Sequence, residues 1–372
     1  MPGLVKTSLV IICGLALAGC GLPRGAGFQS EVLAAAKADP DAEGAVPTRD
    51  FAVFEVTREA LPELQSWPAN RTQTYPWLRR QEQPASLIIA PGDQIEMIIW
   101  DAEENSVFAS AAQRATPLQQ AQVGSDGRIF VPYIGELAVS GMSPATARAR
   151  IEEEMSRTIP SAQVQLVVTP GRANTANLVS GVTAPGVYPL LDRNYKLLDL
   201  LSLGGGANPG LINPQVRLIR GDNIYGVSLR RLLAEPQLDT TLRGGDRVIV
   251  QQDERYFLSL GATGTESLHI FQKDEISALD AMSIIGGVSD SRANPEGILI
   301  LREYAPDQVR SDGSGPPKQR VVFTVDLTNA DGLFSAGSFA IQPNDLVYAT
   351  ESPLGSALTV LNLATTLSNA TN

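Results

Sequence analysis

Few residues of this chain could do covalent chemistry. The 372 residues include two cysteines, Cys13 and Cys20, and one histidine, His269. Zinc and non-haem iron sites built from several His or Cys ligands are therefore excluded. A Ser-His-Asp triad would have to use His269, and no nucleophile-elbow pattern accompanies it. His269 sits instead in Ser267-Leu268-His269-Ile270, which reads as a strand. Glycan cleavage needs two carboxylates placed across a substrate. The candidates Glu103 and Glu104 are adjacent on a charged loop and read as solvent-exposed. Nothing here builds an acid–base or nucleophilic site, so the chain reads as a non-enzyme without metal or cofactor.

One thiol remains. Cys20 directly follows Leu17-Ala18-Gly19, behind which lie Lys6 and an apolar run from Leu9 to Ala18. A basic start, a short apolar run and small residues before a cleavage point make a secretory signal peptide. One reading is an ordinary cleaved signal that happens to contain cysteine. The other follows from the resemblance of Leu-Ala-Gly-Cys to the bacterial lipobox, which implies that Cys20 becomes the first mature residue and carries acyl chains. Each buried acyl CH₂ contributes about 0.8 kcal/mol to membrane partitioning. Gly21, where Asp would signal retention, favours the outer membrane by the usual lipoprotein sorting pattern. Cys13 would leave with the signal, so no disulfide can form within one mature subunit.

The rest of the composition fits a periplasmic body. Net charge is −11, which argues against nucleic acid and against a polybasic membrane patch. The length suggests two or three domains of about 100–200 residues. No apolar run after the signal reaches the ~18 residues of a single-pass helix.

The elements can be read in order. Residues 21–50, rich in Ala, Gly, Pro and Asp, read as a flexible or loosely packed leader. Phe51–Val56 reads as a strand. Pro91-Gly92-Asp93 is a turn leading into a strand that ends at Trp100. A polar loop covers roughly 101–121, and a hairpin is expected around Asp126-Gly127. Ser143-Pro144 opens a helix to about Arg157 whose buried face carries Ala147, Ile151 and Met155. Val164–Val168 is a further strand.

Two later stretches follow one plan. A strand near Leu178–Val182, a helix near Leu197–Leu201, a stop at Gly204-Gly205-Gly206, a strand at Val216–Arg220 and a turn at Gly244-Gly245-Asp246 come first. A strand at Tyr256–Gly261, a helix near Ala278–Met282, a stop at Gly286-Gly287, a strand at Ile298–Arg302 and a turn at Pro343-Asn344-Asp345 repeat it. Spacing of about 80–100 residues suits a duplicated domain. The glycines read as helix C-caps rather than phosphate loops, since no Gly-x-Gly-x-x-Gly opens a helix. Asp93, Asp246 and Asp345 read as turn caps, with direct sugar contact as the alternative.

From Ser352 to the end there is no charged residue. At 100° per residue the apolar positions fall on one broad side, and Thr359, Asn362, Thr366 and Asn369 fall on the other. About 20 helical residues span roughly 30 Å, close to a bilayer core. One copy is too polar to span alone, but a ring could turn apolar faces to lipid and these four residues to a lumen. A helix packed on the body, or a disordered tail, is the other reading.

Together these motifs resemble the Wza-like outer-membrane polysaccharide export family. The carrying residues are Pro91, Gly92, Asp93, Trp100, Asp126, Gly127, Pro132 and Gly135, then Gly181, Pro185 and Gly186 in the first repeat. In the second repeat Gly264-Thr265 replaces Pro-Gly. The resemblance implies an α+β chain: a mixed-sheet polysaccharide-export domain, two β-grasp-like (soluble-ligand-binding) repeats and a C-terminal amphipathic helix. Its segments are a signal peptide at 1–19, a lipid-anchored region at 20–84, the export domain at 85–170, repeats at 171–253 and 254–350, and the membrane helix at 351–372. It further implies a homo-oligomeric ring, octameric by the same resemblance, set in outer-membrane lipid. The ring would receive a capsular or extracellular polysaccharide from an inner-membrane polymerase and co-polymerase complex. A periplasmic carbohydrate-binding or scaffold lipoprotein without a pore is the competing reading, and the tail discriminates the two.

Overall fold

The computed structural model describes residues 25–34, 50–69, 75–83, 86–100, 119–289, 292–310 and 312–353. The signal peptide, Cys20, the 101–118 loop with Glu103 and Glu104, and tail residues Thr359, Asn362, Thr366 and Asn369 lie outside them. The described chain forms two compact units, one from residues 75–253 and one from residues up to 69 joined with those from 254 on. Both are α+β with mixed sheets.

Along the chain come α1 (Gln29–Ala34), β1 (Phe51–Glu55) and α2 (Leu61–Ser66), then β2 (Gln94–Trp100), the central strand of a three-stranded sheet. Alternation along β2 buries Ile95, Met97 and Ile99. Its antiparallel neighbours are β3 (Gln119–Gln122) and β6 (Gln163–Thr169). β3 lies where the sequence reads as loop, because Gln-Gln-Ala-Gln has no apolar alternation and only pairing with β2 makes it a strand. The hairpin is also displaced. β4 (Arg128–Val131) pairs with β5 (Gly135–Ala138), so the chain reverses through Pro132–Ile134, with Tyr133 at φ 65° and Gly135 at φ 93°. Asp126-Gly127 turns one step earlier, Gly127 N–H donating to the Gly124 carbonyl (2.9 Å), and leads into β4. A strong two-residue turn signal thus marks a turn between sheets.

Helix α3 (Pro144–Met155) starts as its sequence demands. Thr146 N–H donates to Ser143 Oγ (3.1 Å), and Ala147, Ile151 and Met155 face the core. Such a cap contributes about 1 kcal/mol.

The second sheet of this unit holds β7 (Thr175–Ser180), β8 (Gly186–Pro189), β9 (Gln215–Arg220), β10 (Asn223–Ser228) and β11 (Arg247–Gln251), with α4 (Leu197–Leu203) and α5 (Leu229–Ala234). Its order is β10-β9-β11-β7-β8, and only β11–β7 is parallel. Leu197, Leu200 and Leu201 of α4 are buried in the core beneath it. Gly205 and Gly206 take φ near +77° and +78°, and Gly206 N–H donates to the Leu201 carbonyl (2.8 Å). This bond satisfies an orphan helix carbonyl in the left-handed conformation that glycine tolerates.

The remaining unit holds β12 (Tyr256–Gly261), β13 (Ser267–Ile270), β14 (Ile276–Ser277), α6 (Ala278–Ile284), β15 (Ala293–Glu303), β16 (Arg320–Val325), α7 (Ala330–Ser338), β17 (Ala340–Ile341) and β18 (Leu346–Glu351). Its main sheet runs β1-β16-β15-β18-β12-β13. Without β1, this is the order of the five-stranded sheet, again with one parallel pair, β12–β18. β1 pairs parallel with β16 from Phe51↔Arg320 to Glu55↔Thr324. Part of the leader is structured too: Gly27 N–H donates to Tyr348 Oη (2.8 Å), and Ala26 is buried at 7% exposure. Its low-complexity composition hid these specific long-range bonds.

Candidate functional site

Three aspartates organise the motif turns. Asp93 is fully buried and accepts from Ala90 N–H (2.8 Å), Gly171 N–H (2.7 Å) and Asn174 Nδ2 (2.7 Å). It joins the turn before β2 to the chain leaving β6. Asp246 accepts from Arg243 N–H (2.8 Å) and, bidentately, from Arg220 Nε and Nη2 (2.9 and 2.6 Å). Asp345 repeats this in the other unit with Gln342 N–H (2.8 Å) and Arg302 Nε and Nη2 (2.9 and 2.7 Å). In both, Arg Nη2 also donates to the carbonyl five residues before the aspartate, Thr241 or Ala340, at 2.9 Å. The arginine partners carry no signal in the sequence, since the pairing spans 26 and 43 residues.

The Arg302–Asp345 pair is sealed at 2% and 0% side-chain exposure, and the rings of Tyr304, Phe323 and Phe339 surround the guanidinium. Burial works against the Arg302 charge, but Asp345 outweighs it and holds the pKa above its ordinary value. Burial pushes the Asp345 carboxyl up while Arg302 pulls it down. With three donors within 2.9 Å of this carboxylate, the pair is ionised at neutral pH.

Two of the motif glycines sit where a side chain would not fit. A Cβ at Gly181 would run into the Val250 carbonyl, and φ there is +75°. A Cβ at Gly127 would meet Ser140 Cβ at 2.7 Å. Pro132 opens the β4–β5 turn, and Pro185-Gly186 opens β8. In the second sheet Ser259 pairs with Ser267 as Leu178 pairs with Gly186. Glu266-Ser267 therefore stands where Pro185-Gly186 does, not Gly264-Thr265; register rather than glycine content decides the correspondence.

Trp100, 43% exposed, borders an open cleft of about 540 Å³ in the three-stranded-sheet domain. Arg148, Glu152, Ser156, Gln163 and Gln165 line it with the tryptophan. Glu152 is held by Arg148 Nη1 (2.9 Å) and Val164 N–H (3.0 Å), which fixes both charges on the cleft wall. An exposed ring beside fixed polar groups can stack on and hydrogen-bond a hydroxylated ligand. The sequence reading singled out Trp100 but none of these partners, because α3 and β6 supply them only on folding.

His269 lies on β13, stacked on Phe257 at 5.1 Å. Ser259 Oγ donates to the Thr265 carbonyl (2.5 Å) and accepts from Ser267 N–H (3.2 Å). Its 2.8 Å contact with His269 Nε2 therefore makes that nitrogen the donor. The serine proton is committed to a carbonyl, which is not the geometry of a nucleophile with a base. Burial lowers the His269 pKa below 6.5, against the pull of Thr265. The unfolded chain thus takes up this proton at higher pH than the folded one. Stability is unaffected above about pH 6.5 and falls as pH drops from there towards the folded value. Melting temperatures between pH 7.5 and 5.5 should drop more for wild type than for His269→Asn. The difference isolates this group from Asp239, whose pKa burial raises and which acts in the opposite sense.

Among the described residues no group of three or more His, Cys, Asp or Glu could hold a metal. Among them no helix is long and apolar enough to cross a membrane, which says nothing of crossing by strands.

Residues 81–169 match the family described as polysaccharide biosynthesis/export protein. The capsule polysaccharide export protein BexD of Haemophilus influenzae is 26% identical over 279 residues, 71% of each chain. The capsule polysaccharide export outer membrane protein CtrA of Neisseria meningitidis serogroup A is 25% identical over 280 residues, 71% of this chain and 72% of its own. The Vi polysaccharide export protein VexA/TviF of Salmonella typhi is 23% identical over 268 residues, 72% of this chain and 74% of its own. The export-family match at 81–169 and these relatives, each similar over about seven tenths of this chain, support a Wza-like outer-membrane polysaccharide export family.

Proposed function

We propose that this chain is an outer-membrane lipoprotein that exports a capsular or extracellular polysaccharide from the periplasm to the cell surface. The observation that carries the proposal is the match of residues 81–169 to the export family, continued by relatives named for capsule polysaccharide export. The mature chain begins at acylated Cys20 with its body in the periplasm. Several copies, eight by family resemblance, form a ring around a wide lumen. The uncharged tail closes the ring in the membrane with Thr359, Asn362, Thr366 and Asn369 towards the polymer. The partners are the polymer itself and an inner-membrane polymerase and co-polymerase complex.

The two larger sheets are β-grasp-like repeats. With β1 set aside, their shared strand order, one parallel pair each and matching Arg–Asp turns support this. The remaining motif residues shape turns, as the three donors held by buried Asp93 and the positive φ of Gly127 and Gly135 suggest. A conduit needs no acid–base pair; it needs a wet, weakly binding lining, so the protein acts without catalysis.

Cys20→Ala is expected to move the protein out of the outer-membrane fraction and to abolish palmitate labelling. An unchanged distribution would overturn the lipoprotein assignment. Imaging of detergent-extracted protein should show closed rings with a membrane-embedded neck, and monomers would overturn the channel.

A further inference from the structure

Two membrane-seeking sequences lie at opposite ends of this chain, and the structure joins the residues beside them. Gly25 N–H donates to Glu351 Oε1 (3.1 Å), across 326 residues. Glu351 N–H donates to the Gly27 carbonyl (3.1 Å), and Gly27 N–H donates to Tyr348 Oη (2.8 Å). Ser352 N–H donates to the Arg292 carbonyl (2.7 Å), so the point where the last strand ends is itself fixed. Glu351 is only 8% exposed, and its carboxylate is committed to this contact. A Cβ on Gly25 would meet Arg292 Nη1 at 3.1 Å, so the glycine permits the close approach.

Cys20 stands five residues before Gly25, and the uncharged stretch begins one residue after Glu351. Five peptide units reach at most about 18 Å. If the leader were free up to β1, some 30 residues would separate anchor and body, with a root-mean-square span of about 30 Å and no fixed orientation. The bonds at Gly25 and Gly27 cut that tether to five residues.

We propose that Gly25–Phe28 is a clasp that holds one pole of the C-terminal unit, the end where β18 finishes, against a lipid surface. The inference rests on acylation of Cys20, as proposed above. The opposite pole is defined by β15, which pairs Ala293 with Glu351 at one end and Glu303 with Arg320 at the other. Ten steps along a strand separate the two ends by about 30 Å.

The test uses the full lipidated chain, in which Cys20 is the only cysteine once Cys13 has left with the signal. A single cysteine at exposed Glu296, near the clasp, or at exposed Gln319, at the far end, carries an environment-sensitive fluorophore. The protein is reconstituted in phosphatidylethanolamine and phosphatidylglycerol vesicles containing nitroxide lipid. Quenching should be several-fold stronger at position 296 than at 319. Each label is also placed in the lipidated chain ending at Ser352, where the tail cannot hold that pole; there the difference should persist, and Tyr348→Phe with Glu351→Ala should erase most of it while sedimentation with vesicles is retained. Gly27→Pro, which removes one donor and leaves every strand residue in place, should do so in part and guards against misfolding of the double variant. Equal quenching at both positions in the vesicle-bound tailless protein, or a difference there that survives both clasp variants, would overturn the clasp and leave lipidation standing. A protein that fails to sediment with vesicles would overturn both.

Discussion

Asp345→Asn is expected to cost the C-terminal unit about 3–5 kcal/mol, the usual penalty for leaving one member of a buried ion pair uncompensated. Total stabilities of about 5–15 kcal/mol make this the most damaging single substitution foreseen. Arg302 would remain at 2% exposure among three aromatic rings, without the carboxylate that balances it. Asp246→Asn should cost less, because Arg220 is 20% exposed and water can take over part of the charge. The mechanism has its own control. Replacing both partners, as Arg302→Met with Asp345→Leu, should restore most of the loss, since desolvating the pair is itself expensive. Chemical denaturation of the purified protein reads all three. If Asp345→Asn melts with wild type, the pair does not stabilise the fold as described.

Removing residues 352–372 should abolish polymer at the cell surface while leaving a folded protein of normal abundance. The described strands all end by Glu351, so the sheets keep their pairing. The loss would be one of conduction, since no other uncharged stretch of that length follows residue 20. Surface staining with a polymer-binding reagent and melting of the purified body separate the two effects. Normal surface polymer after truncation would sink the pore-lining role of the tail and favour a non-pore scaffold.

Much of the local structure is legible in the sequence. Ser143-Pro144 opens α3 because a cap and a fixed φ act within one turn. The glycines after α4 and α6 end those helices because a positive φ is a property of single residues. Alternation along β2 marks Ile95, Met97 and Ile99 as core, since strand faces follow parity alone. The order of these motifs was enough to suggest the export family, which the comparisons then bore out.

Features that depend on distant partners were not legible. Nothing near Gln119–Gln122 marks a strand until β2 lies beside it. The reversal through Tyr133 overrode the stronger-looking Asp126-Gly127 signal because β3 and β4 belong to different sheets. The glycine-poor Glu266-Ser267 takes the place of Pro185-Gly186 by pairing register alone.

By itself, then, the sequence determined the helix caps, the strand faces, the order of the motifs and the uncharged stretch after Glu351. All of these depend on neighbours within about one turn or on composition. Only the tertiary structure decided that Arg220 and Arg302 neutralise Asp246 and Asp345, that β1 extends the last sheet, and that Gly25 meets Glu351. Bringing such residues together means closing loops of tens to hundreds of residues. The energy that does so is shared among whole cores and ladders and leaves no mark on the individual residues that meet.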